Sequence, residues 1–94
     1  MKTKYIILDE VETNYGTVYD VPIIFPESLQ HVFVAEHFGG KDNVGSAGFV
    51  DVGVNGDGKV EFHTHGESIS LKKTSKPSDK ALVSRVFKEP NYYS

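Results

Sequence analysis

Two rhythms of apolar and polar positions run along this chain. The apolar run Tyr5, Ile6, Ile7 and Leu8 closes at Asp9 and Glu10, which predicts a strand over residues 4–9. Residues 10–17 are mostly polar and include Asn14 and Gly16, so they predict a loop. Residues 18–25 predict a second strand, paired with the first as a hairpin. Pro22 has no amide hydrogen, which makes that strand an edge or forces a bulge into it.

The rhythm then becomes helical. Pro26 suits the first turn of a helix, where its missing donor has no partner anyway, and Glu27 beside it suits the positive end of the helix dipole. Leu29, Val32, Phe33 and Glu36 fall on one side, and Val34, Ala35 and Phe38 on another. That wide apolar arc predicts a helix packed on a sheet, stopped by Gly39 and Gly40.

From Ser46 the period is two again. Ala47, Phe49 and Asp51 share one side, and Gly48, Val50, Val52 and Val54 the other. The NGDG stretch that follows is a turn signal, because its residues tolerate positive φ. A return strand is predicted over residues 59–71, with Gly66 as a bulge or break. The segment SKPSDKALVSRVFKE predicts a second helix, capped by Ser75 or Ser78, with Asp79 in its first turn and a stripe of Leu82, Val83, Val86 and Phe87. Pro90 ends it, and Asn91, Tyr92, Tyr93 and Ser94 form a tail. The order ββαββα implies an α+β fold of two layers: a small antiparallel or mixed four-stranded sheet with both helices on one face.

Ninety-four residues accommodate a single domain, 1–94. Cysteine is absent, which excludes disulfides, thiolate zinc sites and cysteine nucleophiles. The N-terminal apolar run is too short for a signal core or a membrane span, so the expectation is a soluble cytoplasmic protein. The net charge of −3 hides an asymmetry: residues 1–71 hold four Lys/Arg against eleven acids, and residues 72–94 hold six against two. An acidic body works against nucleic acid, despite Lys76, Lys80, Arg85 and Lys88 on the last helix.

Candidate chemistry concentrates in VEFHTHGES, residues 60–68. Side chains two apart share a strand face, so Glu61, His63, His65 and Glu67 point one way and Val60, Phe62 and Thr64 the other. Two imidazoles with a carboxylate suit iron, zinc or manganese in kind. The His-x-His pair resembles the cupin metal motif, but that motif places its carboxylate further along and needs a longer barrel. With Val60 and Phe62 facing the core, the four polar residues are equally a solvated face, and no metal ligand is assigned to them. His31 and His37 add ligands only if the first helix crosses that face. GVNGDGKVEF resembles the centre of an EF-hand loop, yet Gly53 and Thr64 stand where its first carboxylate and bidentate glutamate belong. No nucleophile elbow, phosphate-binding loop or cofactor motif is present, so no catalytic residue is assigned.

Together, VPIIFPESLQHVFVAEHFGG, SAGFV, GESISL and SKPSDKALV resemble a group of small uncharacterised proteins encoded by tailed bacteriophages and prophages. The resemblance implies a compact accessory protein made inside an infected bacterium and transfers no catalytic residues; His63 and His65 lie outside those stretches. The leading expectation is a non-enzymatic protein that binds a host or phage protein, or forms a homodimer through an edge strand, without nucleic acid, membrane or cofactor. The alternative is a metal or small-molecule site on the Glu61, His63, His65 and Glu67 face.

Overall fold

Tyr5, Ile6, Ile7 and Leu8 are all buried, although successive side chains of a strand point to opposite faces. A strand buried on both sides needs material above and below it. In the computed structural model, which describes residues 2–88, this strand is β1, Lys2–Glu12. It lies between β2 (Val18–Pro26) and β3 (Val44–Val54), and β4 (Val60–His65) completes a four-stranded sheet in the order β2-β1-β3-β4. Every pairing is antiparallel, which settles the expected choice between antiparallel and mixed.

The first hairpin forms as expected but reaches further. β1 continues past Asp9 through a bulge, where Glu10 takes φ +53° and its amide donates to Asp20 Oδ1 at 3.2 Å. Pairing of β1 with β3 ends at Leu8↔Val44, so Val11↔Tyr19 and Glu12↔Val18 form a two-stranded arm. β2 ends the sheet, the first of the two outcomes expected from its proline, with Pro22 buried opposite Ile7.

The first helix, α1, spans only His31–Glu36 rather than starting at Pro26. Pro26 instead pairs with Thr3 as the last rung of β2, and a turn from Pro26 O to the Leu29 amide leads the chain away. Strand pairing across the sheet outweighed local helix propensity there. Gly39 and Gly40 take φ +96° and +93° and end the helix as expected.

The return strand predicted over residues 59–71 is broken at Gly66, which has φ +79°. Beyond it, β5 (Glu67–Ser68) and β6 (Lys73–Thr74) pair as a separate ribbon before α2 (Asp79–Lys88). The expected order ββαββα therefore gains two short strands, and a 3-10 turn at Lys41–Asn43. In α2, Val83 is buried and Leu82 and Val86 are half-buried, while the Phe87 side chain, Pro90 and the tail lie outside the described residues.

The helices occupy opposite faces, which corrects the two-layer expectation of both on one face. Ile6 and Leu8 pack with Val34 and Ala35 of α1 and with Phe25, Val44, Ala47 and Leu71. Tyr5 and Ile7 pack on the other side with Val50, Phe62 and Val83 of α2. One helix cannot cover both faces of β1, and the unbroken apolar run needs both covered. Among the described residues, no helix is long and apolar enough to cross a membrane.

Candidate functional site

The NGDG turn sets the geometry of the histidine face. Asn55 Oδ1 accepts the amides of Asp57 and Lys59 at 2.9 and 3.1 Å, and Gly58 takes φ +78°. The ladder then runs Val54↔Val60, Val52↔Phe62 and Asp51↔His63. Phe62 is buried on the α2 side, so Glu61, His63 and His65 project from the face that carries α1.

There each imidazole meets a carboxylate of its own. His63 Nε2 lies 3.3 Å from Glu61 Oε2, and His65 Nε2 lies 2.8 Å from Asp51 Oδ2. Asn55 Nδ2 donates to Glu61 Oε1 at 3.0 Å. This bond chiefly holds the Glu61 carboxyl below the usual carboxylate range; slight burial opposes it, and His63 and the Lys80 charge add to it. All four side chains are about half exposed, where such pairs contribute little to stability.

The four residues that the pattern aligned are not all together. Gly66 turns the chain, so Glu67 leaves the face for β5, and Asp51 takes its place as a partner. Asp51 was legible in the sequence only as a residue on the same side as Phe49. His37 donates from Nδ1 to Phe33 O of its own helix at 2.9 Å. His31 does share the face with His65, but the Phe49 ring links them, edge-on to His31 at 5.7 Å and stacked on His65 at 6.0 Å. Among the described residues, no three His, Asp or Glu side chains are grouped as a metal centre.

Beside this row lies a cleft of about 550 Å³, lined by Lys4, His31, Phe49, Glu67, Ile69 and Ser70, among others. His31 is 4% exposed and gives its Nε2 hydrogen to Gly48 O at 2.8 Å. Burial pushes its pKa down and the Lys4 charge adds to this, against the bond to Gly48. Lys4 Nζ itself donates to Leu29 O at 2.8 Å.

On the opposite face, Asp79 is 1% exposed. Its carboxylate accepts Tyr5 OH at 2.6 Å, Ser46 Oγ at 2.8 Å and the Lys76 amide at 2.9 Å. Burial, reinforced by the bond to Asp79 and its charge, pushes the Tyr5 hydroxyl well above its ordinary pKa, with Thr64 and Ser75 opposing. The sequence marked Asp79 only as a helix-dipole residue; its partners lie 74 and 33 positions away, beyond any local pattern.

No protein-family model matches the chain, and neither a curated protein nor a solved structure matches it.

Proposed function

We propose that this is a non-enzymatic binding protein whose partner is another protein, engaged through the β1–β2 arm. The supporting observation is the composition of the arm. Tyr15 is 94% exposed, and Val11, Val18 and Tyr19 are exposed with it. They stand among Asp9, Glu10, Glu12 and Asp20, and no Lys or Arg occurs between residues 5 and 40. Exposed tyrosines are frequent anchors of protein interfaces, and a wholly anionic surround selects a basic partner surface. The same charge repels nucleic acid.

The resemblance to phage and prophage proteins supplies the setting: a host or phage protein in the cytoplasm of an infected bacterium. A homodimer is the form of this reading in which the partner is a second copy. The outer edge of β2 is the surface it would use, in two short stretches on either side of Pro22.

The test is capture from infected-cell lysate, identification by mass spectrometry, and titration of the purified partner. The double variant Tyr15→Ala/Tyr19→Ala is expected to weaken binding at least tenfold, and added salt to weaken it further. A partner whose affinity ignores both changes overturns the reading. Light scattering across a concentration series identifies the homodimer.

A further inference from the structure

We propose that the cleft between α1 and the β5–β6 turn is a binding site for a small organic amine with an apolar body. The observations behind it are independent of the arm. The cleft is built in advance: Leu71 is buried in the core, and its amide donates to the buried Ser68 Oγ at 3.2 Å. That anchor holds Ile69 and Ser70 outward at the mouth. The volume, about 550 Å³, lies in the range that encloses small organic ligands.

The ligand chemistry follows from which polar groups are already used. The Lys4 ammonium gives one of its three hydrogens to Leu29 O, and His31 gives its Nε2 hydrogen to Gly48 O. Since Gly48 O can only accept, Nε2 carries the hydrogen, and in the neutral ring Nδ1 is left as an acceptor. Burial and the Lys4 charge both favour that neutral ring. Among the described residues, Nδ1 has no hydrogen-bond partner, on a side chain only 4% exposed that lines the cleft. The Glu67 side chain, also on the lining, has no ion pair or hydrogen bond among the described residues.

Nδ1 and Glu67 are therefore acceptors, one of them anionic, and Gln30, also on the lining, can donate or accept. An ammonium group supplies several donors and a positive charge, which suits Glu67 and Nδ1 together. Lys4 lies 6.0 Å from the centroid of the Phe49 ring and repels a second cation there, so the apolar part of the ligand takes that side. Ile69, 84% exposed at the mouth, offers a second apolar contact.

The experiment is a titration of the ¹⁵N-labelled full chain with benzylamine, followed by amide shifts, with phenylacetate as a probe of similar shape and opposite charge. Saturable shifts at Gln30, His31, Phe49 and Ser70, at least fivefold weaker binding of phenylacetate, and movement of the His31 Nδ1 resonance are expected. Glu67→Gln, at an exposed position, is expected to weaken benzylamine at least threefold while leaving thermal unfolding unchanged. Absence of saturable shifts at these residues overturns the proposal. So does phenylacetate binding as tightly as benzylamine, or full affinity retained by Glu67→Gln.

Discussion

Tyr5→Phe removes one oxygen atom from the interior and should be costly. The lost hydroxyl donates to Asp79 at 2.6 Å, and the carboxylate left behind is 1% exposed with two donors remaining, Ser46 Oγ and the Lys76 amide. A hydrogen bond to a buried charged group is worth about 1.5–3 kcal/mol, and water cannot reach this one to replace it. The expected loss is about 2–3 kcal/mol, a large share of the roughly 5–14 kcal/mol typical of a chain this size. For a domain of this length that lowers Tm by roughly 8–24 °C. Asp79→Asn paired with Tyr5→Phe in a double-mutant cycle should show coupling of about 1.5 kcal/mol or more. Replacing the three side chains together (Tyr5→Phe, Ser46→Ala and Asp79→Leu) should recover part of the loss, because the buried charge is then gone, although the part-buried Lys76 amide still loses its acceptor. Denaturant titrations measure all of these. A Tyr5→Phe variant within about 0.5 kcal/mol of the parent, or a cycle with no coupling, refutes the idea that the bonds from Tyr5 and Ser46 to Asp79 stabilise the packing of α2 on the sheet.

Other outcomes follow from the same structure. Because burial lowers the His31 pKa, the unfolded chain takes up a proton near the ordinary value of about 6.5 while the folded ring stays neutral. The stability this supplies is complete above that pH and is lost as the pH falls through it; His31→Leu should flatten the slope between pH 7.5 and 5.5, and an unchanged slope contradicts the account. Gly66→Ala should cost about 1–2 kcal/mol, because φ +79° strains any residue with a Cβ, and the added carbon would stand 3.1 Å from the Phe49 ring; an unaltered midpoint of denaturation argues against a strained turn. Phe62→Ala should cost about 3–5 kcal/mol, since the ring is buried between the sheet and α2. His63→Ala, half exposed at the adjacent position, should shift stability by less than about 0.5 kcal/mol.

Features carried by neighbouring residues were legible in the amino-acid order alone. The NGDG turn, the two strands it joins, the choice of edge or bulge set by Pro22, and the stop at Gly39 and Gly40 each follow from backbone rules acting over a few positions. The separation of Phe62 from His63 and His65 follows equally from the period of a strand. The uninterrupted run Tyr5, Ile6, Ile7 and Leu8 held the sign of a strand covered on both faces, yet nothing local says that α1 takes one face and α2 the other.

Only the folded chain decided the rest. Gly66 broke the return strand and carried Glu67 away from the histidines to the cleft. Pro26 became a strand end because Thr3, 23 positions earlier, was there to pair with it. Asp79 met Tyr5 and Ser46 from the far end of the sequence. A turn or an alternation costs and gains its free energy among adjacent residues, so it can be read from their order. A buried carboxylate, a neutral histidine and a helix face acquire their roles from groups far apart in the sequence that only the folded sheet brings together.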